Sequence, residues 1–120
     1  MKVVGMITPD VAAKVGLKLT GEVLVYLGES NIAHMKNKHP GEYAAYGQDI
    51  SNIINHPDYV GRNTKDDSIE FVKEYVMNNE YVKVAVRVSV NGNYYARSLY
   101  RLNSNRVKNF IANGKLQKVY

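Results

Sequence analysis

The chain contains no cysteine, which excludes a disulfide scaffold and every thiolate metal site. No apolar run approaches the ~20 residues that span a bilayer. The opening Met1-Lys-Val-Val-Gly5 has neither the apolar stretch nor the small-residue cleavage site of a signal peptide. A cytoplasmic place of action without membrane contact is expected. A Gly-rich phosphate loop and a Gly-x-Ser-x-Gly nucleophile elbow are also missing. His34 and His39 stand five positions apart, whereas zinc-binding pairs on a helix usually stand four apart. The acids Asp58, Asp66, Asp67 and Glu70 form no set recognisable for magnesium. No metal and no cofactor are expected.

What is present fits a small globular protein. At 120 residues and 45% hydrophobic content, the chain can bury one core, so a single domain over residues 1–120 is expected. Sixteen Lys and Arg against eleven Asp and Glu leave a net charge of +5. That balance favours polyanionic partners through long-range attraction and counterion release.

Thr8-Pro9-Asp10 is a helix start, with a cap, a first-turn proline and an acid at the positive end; Gly16 ends that helix. Residues 22–27 read as a strand. Ser30 is the next expected cap, opening a helix that stops at His39 because Pro40 follows. Tyr43, Tyr46, Ile50, Ile53 and Ile54 recur at helical spacing and predict one longer helix, ended by His56-Pro57. Residues 61–67 read as a loop and residues 68–76 as a strand. Val82, Val84, Val86, Val88 and Val90 alternate with Lys83, Ala85, Arg87 and Ser89. Asn91-Gly92 then predicts a two-residue hairpin turn into a strand over 93–101. Asn103 or Ser104 caps a last helix that closes near Gly114. The order predicts an α+β fold, with N-terminal helices on one face of a small antiparallel sheet and a C-terminal helix.

The turn sets a register in which Arg87 faces Ala96 and Ala85 faces Ser98. The valines then define the core face. Ala85, Arg87, Ser89, Tyr94, Ala96, Ser98 and Tyr100 share the other, open face, which reads first as a solvated sheet face and second as a floor suited to anions. Arg97 falls on the valine face, which requires a sheet margin or a bulge. On a regular helix His34 and His39 are about 140° apart. His34 shares a face with Lys38, while His39 lies near the apolar stripe of Ile32 and Met35. His34 is therefore the candidate for proton transfer with a cation beside it, and His39 has a capping or packing role as its alternative. Of the ten tyrosines, Tyr59 and Tyr100 are the candidates for a place near a ligand.

Several segments, taken in order, carry a family resemblance. They are His34-Met-Lys-Asn-Lys-His-Pro40, Ile54-Asn-His-Pro-Asp-Tyr-Val-Gly61, Ser68-Ile-Glu-Phe-Val-Lys73, Val84-Ala-Val-Arg87, Ala96-Arg-Ser-Leu-Tyr100 and Phe110-Ile-Ala-Asn-Gly114. From Gly5 to Leu116 the chain resembles the phage-associated nucleases of the barnase–EndoU–colicin–RelE-like fold (PBECR). The resemblance implies a barnase- or RelE-like fold and RNA cleavage in a toxin, prophage or mobile-element conflict system. It implies a first-helix histidine working against polar residues of later strands. Matching those roles points to His34 and His39, then Arg87, Arg97 and Ser98, with Tyr59, Glu70 and Lys73 behind them.

The mechanism expected is attack of the 2′-hydroxyl on phosphorus, leaving a 2′,3′-cyclic phosphate without a metal. Histidine moves the protons, Arg87 or Arg97 holds the phosphate, Ser98 donates to the phosphorane, and Glu70 is a candidate general base. Lys38, Tyr59, Lys73, Arg97 and Tyr100 are the expected substrate-binding residues. RNA, with tRNA among the candidates, and an immunity or antitoxin protein are the expected partners. The alternative is a non-catalytic nucleic-acid-binding or nuclease-inhibiting protein of a phage or mobile element.

Overall fold

A strand of alternating valines and a helical stripe of isoleucines each expose an apolar face that needs a partner. In the computed structural model, which describes residues 1–120, they meet. In chain order the elements are β1 (Lys2–Ile7), α1 (Pro9–Lys14), β2 (Val23–Leu27), α2 (Glu29–Lys38), α3 (Pro40–Tyr46) and α4 (Ile50–Asn55). Then come β3 (Tyr59–Arg62), β4 (Ile69–Tyr75), β5 (Glu80–Val88), β6 (Tyr94–Leu102), α5 (Ser104–Ala112) and β7 (Leu116–Lys118). The fold is α+β. All seven strands join one sheet in the order β1-β2-β6-β5-β4-β3-β7, antiparallel except where β2 meets β6. No helix is long and apolar enough to cross a membrane.

Val82, Val84 and Val86 of β5, with Phe71, Ile69 and Leu99 from its neighbours, form the floor of the main core. Ile50, Ile53 and Ile54 of α4, Met35 of α2 and Val11 of α1 close it from above. Each such side chain contributes roughly 1.5–3 kcal/mol on burial, so this layer dominates folding. A smaller cluster of Val72, Val107 and Leu116 lies on the opposite face, where α5 rests with Phe110 and Ile111. The C-terminal helix therefore covers part of the face expected to be open.

Local chemistry explains most boundaries. The Thr8 hydroxyl accepts the Val11 N–H at 3.3 Å, and Asn103 accepts from Asn105 and Arg106, so Asn103 rather than Ser104 caps α5. At α2 the cap is Gly28 rather than Ser30, because the Asn31 side chain reaches back to the Gly28 N–H at 2.9 Å. The helix expected over Tyr43–Ile54 breaks at a single 3-10 turn, Gly47–Asp49. Gly47 lies under the Tyr43 ring, where any Cβ would stand about 3.0 Å from it.

Three strands have no counterpart in the sequence reading: β1, β3 and β7. The expected loop over 61–67 begins two residues late, since Gly61 and Arg62 belong to β3. A Cβ on Gly61 would fall 2.3 Å from the Lys115 carbonyl oxygen. Only glycine lets β7 approach there.

The hairpin corrects the expected register. Its loop has three residues, Val90–Gly92: the Gly92 N–H donates to the Ser89 carbonyl at 2.9 Å, and Gly92 has a φ of 86°. Arg87 consequently faces Tyr95, and Val86 faces Ala96. A bulge between Ala85 and Val86 then restores the expected pairing of Ala85 with Ser98 and leaves Arg97 opposite no residue. Tyr94 and Ala96 move to the valine face, against expectation, and Arg97 leaves it for solvent. The energetic reason is plain: a guanidinium in that core would cost several kcal/mol without a partner.

Candidate active site

β2 pairs with β6 only at Tyr94 and Tyr95. Beyond that point the edge of β6 is flanked by α2 and α3. Two clefts stand out, one beside α2 at the hairpin end of β6 and one over the open face of the sheet against α5. The larger, about 680 Å³, lies at the hairpin end and is lined by His34, Arg97, Tyr95, Ser30 and Asn31. The smaller, about 360 Å³, is centred on β4, β5 and β6 and is lined by Glu70, Lys83, Tyr100, Arg62, Lys65, Arg106 and Lys115.

The central cleft has the more unusual chemistry. Lys83 is one of only two buried polar residues, with 7% of its surface exposed. Its ammonium meets Glu70 Oε2 at 2.5 Å and sits 4.5 Å from the centre of the Tyr100 ring. Burial is the largest single influence on this group and lowers its pKa. The Glu70 carboxylate and the Tyr100 hydroxyl together outweigh it, so the net displacement is upward from 10.5. Lys83 therefore holds a positive charge at the floor of a cleft. Glu70 keeps Oε1 for a further partner, since Lys83 engages Oε2.

Four more cations line the walls. Arg62 is fixed by Asp67 at 3.3 Å and by the Val15 carbonyl at 3.1 Å. Arg106 and Lys115 flank the Phe110 ring at 5.6 and 5.5 Å. Lys65 completes the set. Against these stands the single carboxylate of Glu70, so the cleft attracts anions.

His39 does not line this cleft but adjoins it through Tyr100. It ends α2 and opens α3, held out of helical geometry (φ −138°) ahead of Pro40. Its ring stacks on Tyr100 at 5.2 Å, and Nδ1 lies 3.5 Å from Glu42 Oε2. Glu42 also neighbours Arg101, which bonds Glu80 at 3.0 Å; Glu80 in turn accepts from the Tyr46 hydroxyl. Burial first, then Glu80, pushes the Tyr46 phenol above its ordinary value of 10.0. His39 is thus oriented by a chain of polar contacts running back to the core.

The expected site residues divide accordingly. Glu70 and Tyr100 line the central cleft, and His39 stacks against it. His34 and Arg97 line the hairpin cleft together. Arg87 and Ser98 share the open face, as the hairpin register predicts, but line neither cleft. Arg87 instead lies near Asp66. There burial raises the Asp66 carboxyl most, yet the Ser68 N–H and hydroxyl, with the Arg87 charge, hold it below 3.8.

Tyr59 packs under α5, and the Lys73 ammonium donates to the His56 carbonyl at 2.7 Å. Lys38 is exposed at the end of α2 and lines neither cleft. Sequence reasoning missed Lys83, although its place in the valine alternation puts it on the open face. It also missed the wall cations, which come from segments far apart in the chain.

No curated protein and no solved structure shows significant similarity to the chain. A family model does, that of the phage-Barnase-EndoU-ColicinE5/D-RelE like nuclease3 (PBECR3), and it matches residues 1–109. The matched span holds His34 and His39, the Glu70–Lys83 pair and Tyr100, and the chain belongs to this nuclease family.

Proposed function

We propose that the chain is an endoribonuclease that cuts RNA through its own 2′-hydroxyl, and that cleavage takes place in the central cleft. The observation carrying this reading is the buried Glu70–Lys83 pair against Tyr100, at the floor of a cleft walled by cations. Transesterification needs a base for the 2′-hydroxyl, an acid for the departing 5′-oxygen and a positive charge beside the phosphorane. Glu70 Oε1 takes the 2′ proton as the oxygen attacks phosphorus. His39 gives a proton to the 5′-oxygen as that bond breaks. The products are a 2′,3′-cyclic phosphate and a 5′-hydroxyl.

Lys83, kept protonated, neutralises the extra charge on the phosphorane and takes no part in proton transfer. Arg62, Arg106 and Lys115 hold flanking phosphates. The substrate supplies the nucleophile, so no metal enters the scheme. A role as a toxin or effector of a prophage or mobile element fits the family, and an acidic immunity protein is the partner suited to the cationic walls.

The test is cleavage of total RNA in EDTA followed by end-group analysis. Cyclic phosphate termini are expected, with activity reduced about 100-fold or more in Glu70→Gln. Intact RNA across many substrates, with tight binding retained, would place the chain among non-catalytic binders. A 2′-deoxy substitution at the cleavage position is expected to abolish the reaction, because it removes the nucleophile.

A further inference from the structure

The elements that bring His39 to Tyr100 also bring His34 to Arg97, one step along β6. Resting on the central cleft as the place of cleavage, we infer that the hairpin cleft is a binding subsite for the neighbouring unpaired nucleotide of the RNA. Arg97 holds its phosphate, Tyr95 and His34 offer ring faces for its base, and no chemistry takes place there.

Spacing is the first support. Arg97 and Tyr100 are three residues apart on a strand, about 10 Å. His34 and His39 are five apart along α2 and its cap, about 7.5 Å of helical rise. A single phosphate cannot bridge such a gap, whereas the next nucleotide of an extended strand can.

The second support is how the chain builds Arg97 into place. An unbroken ladder would turn this guanidinium into the valine core. The bulge between Ala85 and Val86 instead frees it from pairing and turns it out to the cleft wall, while Ala96 and Leu99 both stay in the core. Bulges commonly re-aim a side chain in this manner. Arg97 belongs to none of the chain's ion pairs, so both arms of its fork are open to a phosphate.

The third support is chemical. Cleavage through the 2′-hydroxyl needs both a base and an acid. The hairpin cleft is lined by one imidazole and by no carboxylate or lysine, and its one phenol, Tyr95, is engaged with Met1 Sδ, so no second side chain stands free to carry a proton. What it does have suits an unpaired base. The Tyr95 ring is braced by Tyr26 at 6.0 Å and by its hydroxyl on Met1 Sδ at 3.4 Å. The Asn31 and Asn91 side chains on the same walls can meet base edges. Braced aromatics beside a cation are the usual platform for single strands.

The test uses Arg97→Ala, Arg97→Lys and His34→Ala in the full chain, with a short single-stranded RNA and the same oligonucleotide carrying a 2′-deoxy at the cut position. For the cleavable RNA, KM is expected to rise about tenfold in Arg97→Ala and His34→Ala, with kcat within about threefold of wild type. Arg97→Lys should fall between, because the charge remains but the fork is lost. Binding of the uncleavable strand, read by anisotropy, should weaken in step. Its salt slope should drop by about one in Arg97→Ala.

A collapse of kcat in His34→Ala at unchanged KM would make His34 part of the chemistry and overturn the proposal. Unchanged binding of the uncleavable strand in both alanine variants would overturn it too. Failure of the central-cleft reading shows elsewhere, as full activity in Glu70→Gln, and leaves the binding measurement readable.

Discussion

Replacing Lys83 by methionine keeps the stem that lies along Tyr100 and removes only the charge. Glu70 then faces a nearly dry site alone, since the two side chains are 9% and 16% exposed. Removing one partner of a buried pair costs roughly 3–5 kcal/mol. The remaining exposure of Glu70 places the expected loss at the lower end, about 3 kcal/mol. In a domain of this size that is a melting point lower by roughly 10–20 °C, and a large share of a total near 5–15 kcal/mol. A second substitution, Glu70→Leu, removes the stranded carboxylate and should restore most of the stability, because apolar replacements of buried pairs are commonly neutral or better.

Cleavage should follow a different course. It should fall about 100- to 1000-fold in Lys83→Met, as when one group facing developing charge is lost, and stay low in the double variant. Thermal melts and single-turnover cleavage, at a temperature where every variant is folded, separate the two effects. If the double variant regains cleavage together with stability, the pair is structural and the central cleft is not the place of chemistry.

Alkaline unfolding offers a second view of the same ammonium. Its folded pKa is raised above 10.5, so its stabilising share is complete below pH 10.5 and is lost as pH climbs through the folded value. Wild type should lose stability over that range, and a Lys83→Met curve of the same shape would count against the pairing. Glu42→Gln should lower kcat about tenfold at unchanged KM by loosening the His39 ring; a change in KM alone would contradict a positioning role. Gly61→Ala should cost about 1–3 kcal/mol in urea unfolding, because its methyl meets the Lys115 carbonyl, and an unshifted midpoint would show β7 yielding freely. Arg87→Ala should retain cleavage with a loss near 1 kcal/mol at most, since Arg87 stands beside Asp66 and lines neither cleft; abolished cleavage in a folded variant would return Arg87 to the site.

Much of the fold was legible because its signals are local. The Thr8 and Asn103 caps, the stop at His56-Pro57, the Val82–Val88 alternation and the isoleucine stripe of α4 each depend on neighbours within a few residues. The missed strands depend on partners far away. Val3 pairs with Tyr26, and Gly61 sits between Glu70 and Leu116; nothing within either segment marks that pairing. The hairpin shows a subtler failure. Asn91-Gly92 is the usual signal for a two-residue turn, yet the same pair also fits a three-residue loop with glycine in the left-handed position. The bulge opposite Ala85 then hides the difference, because one slip offsets the other by the time the strands reach Ser98.

By itself the sequence determined the α+β class, the valine-bearing core face and the two histidines ahead of a proline. It also marked Arg97 as misplaced on a regular strand. These follow from periodicity and backbone stereochemistry, which act over a turn or a pleat. Only the tertiary structure decided which histidine keeps company with which cation. α2 lies along a half-unpaired β6, and that placement joins His39 to Tyr100 and His34 to Arg97. Nor does any local pattern foretell that Lys83 is buried against Glu70, thirteen residues earlier on the adjacent strand. Burial of a charge is a property of the assembled sheet, set by everything that excludes water from it.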